Sequence, residues 1–172
     1  MKRGLVVGRF QPYHLGHHKA LINALKEVDE LVIVVGSSKE SHQFENPFTA
    51  GERIEMIAIG LKSKGLYEKC FIVPIPDVQQ NALWTAQIKG QTPRFDVVYT
   101  NNPLVKQLFE GEGFKTKEML SGLPEINSTS VRDAMFGKNN WEKMLPAVVV
   151  DYLKSINAMD RIRAIAEKEK KQ

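Results

Sequence analysis

The stretch that most restricts how this chain can fold lies at its start: Gly4-Leu5-Val6-Val7-Gly8-Arg9-Phe10-Gln11-Pro12-Tyr13-His14-Leu15-Gly16-His17. Leu5 to Val7 make a short apolar run, the pattern of a buried strand in a parallel sheet. Gly8 ends it, allowing a sharp turn and the close approach of a ligand. A helix starting near Gly16 and His17 then aims its free N–H groups, and the positive end of its dipole, at the same spot. His14 and His17 stand three residues apart, so on a shared first turn they lie on one face. With Arg9 beside them, two imidazoles surround a place suited to an anion, and the segment reads as a phosphate pocket. A surface turn is the plainer reading of His-x-Gly-His alone. Zinc suits the segment poorly, because no third ligand is near and His18 points elsewhere on the helix. Neither a Walker-type loop nor Gly-x-Gly-x-x-Gly follows the strand.

Beyond this unit, strand and helix signals alternate. Strands read at about 4–8, 30–36, 69–74, 95–99 and 114–118. Helices read at about 16–27, 50–63, 81–90, 102–111, 129–136, 145–156 and 159–169. Thr49-x-x-Glu52 is a capping box for the second helix. Pro74 and Pro76 end the third strand. Asn101 or Asn102, followed by Pro103, supplies a cap and a first-turn proline. The alternation predicts an α/β fold: one doubly wound parallel sheet, Rossmann-like, with C-terminal helices. Ligands bind such sheets beyond the C-terminal strand ends, and Gly8, Gly36, Pro74 and Thr100 all fall there.

The 172 residues read as a single domain, 1–172, with a C-terminal helical segment at about 145–170. One cysteine, Cys70, excludes a disulfide within the chain and suits a reducing cytoplasm; in its strand context it reads as a structural thiol. No apolar stretch reaches membrane-spanning length, and the N-terminal run is too short for a signal peptide. The net charge of +4 suits anionic substrates but is no nucleic-acid footprint. Basic residues gather in the tail: Arg161, Arg163, Lys168, Lys170 and Lys171. Ile162, Ile165 and Ala166 repeat there at helical spacing, which favours a docked terminal helix with one solvated face.

Arg9-Phe10-Gln11-Pro12-Tyr13-His14-Leu15-Gly16-His17 resembles the His-x-Gly-His signature of the nucleotidylyltransferase superfamily. Ile126-Asn127-Ser128-Thr129-Ser130-Val131-Arg132 resembles its second signature, Ser-(Ser/Gly)-Thr-x-(Ile/Val)-Arg. Physically the latter is another helix start: Ser128 or Thr129 can cap it, amides and hydroxyls can meet phosphate, and Arg132 can fork onto it. Within the superfamily, nearly the whole chain is similar to archaeal-type nicotinamide-nucleotide adenylyltransferases. The specific segments are Asn46-Pro47-Phe48-Thr49-Ala50-Gly51-Glu52-Arg53 and Asn81-Ala82-Leu83-Trp84, with Gly36-Ser37-Ser38 and Asn101-Asn102-Pro103 as further matches. The chain departs from that pattern in having Ile126-Asn127-Ser128-Thr129 for Tyr-Ser-Gly-Thr, and Asn101-Asn102-Pro103 for Gly-Asn-Pro.

The resemblance implies transfer of AMP from ATP to nicotinamide mononucleotide, releasing pyrophosphate. It assigns catalysis to His14, His17, Arg9 and Arg132. It assigns ATP binding to Gly8, Arg9, Phe10, Gln11, His14, Gly16, His17, Ser128, Thr129 and Arg132. For the acceptor it points to Gly36, Ser37, Asn81, Trp84 and Asn102, with the Trp84 indole under the cationic pyridinium; simple core packing is the other role open to Trp84. Mg2+ is expected to arrive with ATP, without a protein ligand. Arg53 can reach phosphate or pair with acids on its own helix, and His42 can belong to a closing loop or be a solvated loop residue. Glu45 is an acid where an arginine would aid phosphate binding, so that loop is assigned no phosphate role. Trp141 reads as structural. A homo-oligomer, a hexamer by resemblance, is expected. Two rivals remain: the same chemistry on phosphopantetheine, flavin mononucleotide or a polyol phosphate, and a non-catalytic nucleotide-binding module.

Overall fold

A computed structural model describes residues 1–78, 80–137 and 139–169, leaving the side chains of residues 81, 82 and 169 outside the description. The expectations for Lys170 and Lys171, and for the side chain of Asn81, therefore lie outside the described residues. Strands β1 (Arg3–Gly8), β2 (Glu30–Val35), β3 (Cys70–Pro74), β4 (Val97–Tyr99) and β5 (Lys115–Lys117) form one parallel sheet in the order β3-β2-β1-β4-β5. The helices are α1 (Leu15–Ala24), α2 (Ala50–Lys62), α3 (Asn81–Gln91), α4 (Pro103–Gly111), α5 (Ser128–Phe136), α6 (Ala147–Ser155) and α7 (Ala158–Glu169). The chain is doubly wound, and the strand order reverses at β1 and β4.

Alternation along the central strands explains the two layers. Leu5, Val32, Val34 and Val98 face a core with Ile88 of α3 and Phe109 of α4. Their neighbours Val6, Leu31, Ile33, Val35, Val97 and Tyr99 face the opposite core with α1, α2, α5, α6 and α7. Burial on both faces is why these strands read as unbroken apolar runs rather than alternating ones. Trp141 lies in the second core, as a structural residue should. The Cys70 thiol is half-buried near the Leu66 carbonyl, and burial pushes its pKa up to about 12, which leaves it inert.

The sequence reading requires three local corrections. The first helix stops at Ala24, because Lys26 and Glu27 donate to Asn23 and Ala24 in tighter turns. Short 3-10 turns at Tyr67–Lys69 and Trp141–Met144 were not foreseen. The cap of α5 is Asn127, one residue before the expected Ser128 or Thr129. Its Oδ1 accepts from the Ser130 amide at 2.9 Å, while Ser130 Oγ accepts from the Asn127 amide at 3.1 Å.

The Thr49–Glu52 capping box is present, and it has a second use. Arg161 of α7 forks onto Glu52, with Nη1 at 2.6 Å from Oε2 and Nη2 at 2.7 Å from Oε1. The terminal helix is thereby tied to the N-terminus of α2. Arg161→Met is expected to cost about 2 kcal/mol by stranding a half-buried carboxylate, a fall in Tm of roughly 6 °C measurable by circular dichroism.

Candidate active site

The loop from Arg9 to His14 emerges from the central strand at the switch in strand order. His14 is the N-cap of α1: its Nδ1 accepts from the His17 amide at 3.3 Å and its carbonyl from the His18 amide at 2.9 Å. The two rings stack with centroids 3.7 Å apart, so the sequence pairing is realised with His14 at the cap and not within the first turn. His18 does point away, hydrogen-bonded to the buried Tyr13 hydroxyl at 2.9 Å.

An imidazole that accepts at Nδ1 carries its proton at Nε2. His14 Nε2 is buried with no partner among the described residues, and so is His17 Nδ1. Burial lowers the His14 pKa to about 4, and burial with the His14 charge lowers that of His17 well below its usual value. Both rings are therefore neutral at pH 7. They can offer N–H donors to an anion without a change of charge.

The second motif meets the first through Gly16. A Cβ there would lie 2.6 Å from the Ile126 carbonyl and 2.9 Å from the His14 ring, so only glycine lets the two helix starts approach. Arg132 completes the junction. Its side chain is 2% exposed; Nη1 donates to the Gln11 carbonyl at 3.1 Å, and Nη2 to Glu45 Oε2 at 2.8 Å and Thr129 Oγ1 at 3.4 Å. Its Nε is buried and unpartnered among the described residues. Burial lowers the Arg132 pKa, yet the group remains a cation at neutral pH. Arg9 is exposed and close enough to Arg132 and Arg53 for its charge to be felt by both.

Other expected residues are placed differently. The Gln11 residue is fully buried, its side chain donating to the Phe48 carbonyl at 2.8 Å and accepting from the Phe48 amide at 2.9 Å, so that side chain is spent on backbone. Phe10 is likewise buried, its ring packed against His17 and under Gly8. Ser128 opens α5 and Thr129 is exposed one residue on. Gly36 and Ser37 follow β2, and Ser37 is buried. Asn102 caps α4, its Oδ1 accepting from the Leu104 and Val105 amides, so that atom serves the helix.

Trp84 has one face in packing and one on open space. One edge packs on Phe109, with centroids 5.8 Å apart, and the ring also lines a cavity of about 300 Å3 with Asp77, Val78, Leu104, Val105 and Leu108. A larger cavity of about 640 Å3 lies between α5 and α7 and contains no residue of either motif.

Several contacts were missed by the sequence reading. Arg53, expected to reach phosphate or to pair with acids on its own helix, makes no such ion pair among the described residues; it is 0% exposed and bound to backbone carbonyls. Glu45 sits on Arg132, and Phe44 stacks on Phe136 at 4.5 Å, which docks the 37–46 loop on α5. His42 is exposed, with Ser41 Oγ as its partner. Asp77 accepts from the Ser37 amide at 3.3 Å; its place just past a strand end was the available signal.

A family model described as cytidylyltransferase-like matches residues 5–146. A nicotinamide-nucleotide adenylyltransferase of Archaeoglobus fulgidus is 44% identical over 97% of this chain and 99% of its own length. One of Saccharolobus solfataricus is 42% identical over 99% of this chain and all of its own. The chain belongs to the nicotinamide-nucleotide adenylyltransferases, within the cytidylyltransferase-like family. It is a nucleotidyltransferase. Among solved structures, a bifunctional NMN adenylyltransferase/ADP ribose pyrophosphatase of Francisella tularensis, complexed with AMP and a manganese ion, shares the fold at a TM-score of 0.73 and 17% identity. That match covers 94% of this chain and 52% of the Francisella chain.

Two predictions follow from the histidine pair and from Gly16. The folded-state pKa of His14 is depressed from the usual 6.5 to about 4, so between these values the unfolded chain binds a proton that the folded chain refuses. Stability is therefore fully present above about pH 6.5 and is lost as pH falls through that window, by about 3 kcal/mol from His14 alone. Thermal unfolding from pH 7.5 to 4.5 will show this, with a shallower fall in His14→Asn. Gly16→Ala must push the Ile126 carbonyl away, and ATP affinity measured by calorimetry is expected to fall at least tenfold.

Proposed function

We propose that the site joins the AMP unit of ATP to the 5′-phosphate of nicotinamide mononucleotide, producing NAD and pyrophosphate. The observation that carries this is the junction itself. Two helix N-termini, two neutral imidazoles and the Arg132 guanidinium converge at the end of the central strand, and an indole walls a cavity that includes Asp77, the acceptor of the Ser37 amide.

The reaction needs no protein nucleophile. A phosphate monoester has its second pKa near 6 and is largely ionised at pH 7, so an acceptor oxygen attacks the α-phosphorus directly. That P–O bond forms as the bond from the α-phosphorus to the bridging oxygen breaks, and the electron pair leaves with pyrophosphate. Catalysis is then alignment together with stabilisation of charge on the α-phosphoryl group and the leaving group. His14 Nε2–H and the His17 ring donate to phosphoryl oxygens, and Arg9 and Arg132 neutralise the triphosphate. The first amides of α1 and α5, at Gly16, Ser128 and Thr129, supply further donors.

Arg132 already carries a carboxylate, so a phosphate that forks onto it displaces Glu45. MgATP is the nucleotide substrate, and the ion lowers the charge of the triphosphate. The ion is assigned no protein ligand and is held by phosphates and water. On the acceptor side, Gly36, Ser37, Asn81, Trp84 and Asn102 surround the other substrate. The pyridinium lies on the Trp84 indole, worth about 0.5–2 kcal/mol, and Asp77 adds a negative charge on that wall.

Pyrophosphate release from MgATP with a panel of phosphorylated acceptors tests the reading. Turnover with nicotinamide mononucleotide is expected, and a fall of about a hundredfold or more in kcat for His17→Ala. Trp84→Ala should raise KM for the mononucleotide by roughly tenfold, a loss within the usual cation–π range, and leave KM for ATP unchanged. Turnover with phosphopantetheine instead would retain the mechanism and overturn the acceptor.

A further inference from the structure

We infer that Arg53 is a positioning residue that locks the ATP-side loop after β1 to the acceptor-side loop after β2, setting the alignment of the two substrates. The names of the two sides rest on the AMP-transfer reading; the contacts do not.

The guanidinium has no exposed surface and is held entirely by carbonyl oxygens. Nη1 donates to Arg9 at 2.8 Å and to Gly36 at 2.7 Å, Nη2 to Ser37 at 3.0 Å and Nε to Thr49 at 3.2 Å. Arg9 lies in the first loop, Gly36 and Ser37 in the second, and Thr49 at the cap of the helix that carries Arg53 itself. One rigid, planar fork therefore spans both sides of the site, a task for which lysine has too few donors and too compact a head.

The held carbonyls decide which N–H groups remain for a ligand. In a planar trans peptide the C=O and N–H point in opposite directions. Drawing the Arg9, Gly36 and Ser37 carbonyls onto Arg53 turns the Phe10, Ser37 and Ser38 amides the other way. Ser37 then donates to Asp77 Oδ1 and Ser38 to the Ile75 carbonyl, both at 3.3 Å. The Phe10 amide has no acceptor among the described residues, and the ring of the same residue packs on His17 with centroids 4.7 Å apart.

Backbone conformation points the same way. Phe10 has φ 52° and Ser37 φ 47°, left-handed values that non-glycine residues adopt only when their surroundings impose them. Arg53 holds the carbonyl of Ser37 itself and that of Arg9, in the peptide that precedes Phe10. Burial lowers the Arg53 pKa to about 10, opposed by Asp77, so the group is charged throughout the neutral range. Its own position is set by the capping box and the Arg161 clamp at the start of α2.

The test uses the full-length chain with Arg53→Ala and Arg53→Lys, at a temperature where circular dichroism shows both folded. Calorimetry reads the binding of ATP and of nicotinamide mononucleotide separately, and pyrophosphate release reads kcat. Arg53→Ala is expected to weaken both ligands by roughly tenfold and to lower kcat about a hundredfold, the scale of a misaligned reacting pair. Millimolar guanidinium, filling the vacated space, should recover at least tenfold of kcat. Arg53→Lys should fall between, and carries the test alone if the alanine variant does not fold. Kinetics and both affinities within twofold of the parent, with only Tm reduced, would overturn the inference, as would an effect confined to one ligand. If the parent itself does not bind the mononucleotide, the proposed acceptor is wrong, and unchanged ATP binding in Arg53→Ala then overturns the positioning role.

Discussion

The loop between β1 and α1 is enclosed on nearly every side, and each polar backbone group it buries must find a partner. Much of the structure around it answers that demand. The Arg9 carbonyl is taken by Arg53 and the Gln11 carbonyl by Arg132. The Gln11 side chain reaches the backbone of Phe48, and the His17 amide goes to His14. The segments that supply these partners, at the starts of α1, α2 and α5, are also those that carry the family's signatures. Holding the loop and building the site are one physical problem in this fold, because the backbone to be satisfied is the backbone of the proposed nucleotide site.

The electrostatics share that economy. Cations are concentrated at one point and none is neutralised by a fully buried carboxylate. Arg53 is surrounded by carbonyls, Arg132 meets an exposed acid at its rim, and Arg9 faces solvent. The histidines are neutral because burial disfavours their charged forms, and the charge of His14 adds to the effect at His17. On the proposed reading, a site of this kind attracts a polyphosphate through fixed cations and orients it through neutral donors. Its hydrogen-bond pattern does not change with proton transfer, as a reaction without a protein base requires.

The element order, the parallel sheet and the strand ends were legible because apolar runs and helix caps are local signals. β3 does end at Pro74, the second helix does start with the Thr49–Glu52 box, and the tail does dock as a helix. The α5 cap was misplaced by one residue because Asn127, Ser128 and Thr129 are all competent caps, and only the entry angle of the chain selects Asn127. The partners of Arg53, Gln11 and Glu45 were not foreseen, for a different reason. Their partners lie 44, 37 and 87 residues away in sequence, and polar side chains carry no mark of whether they face a ligand or a backbone carbonyl.

The sequence by itself determined the chemistry on offer: two histidines and a glycine at a helix start, a second capped helix start with an arginine, and a sheet whose strand ends gather them. Those facts follow from local geometry and from residue types that few other functions need together. Tertiary structure alone decided which donors are spent and which are free. Gln11 and Arg53 hold backbone, His14 Nε2 and the Arg132 Nε are left unpartnered among the described residues, and Trp84 divides its surface between Phe109 and a cavity. Hydrogen-bond capacity is finite and is consumed by whatever the fold brings near, and that proximity is written only in three dimensions.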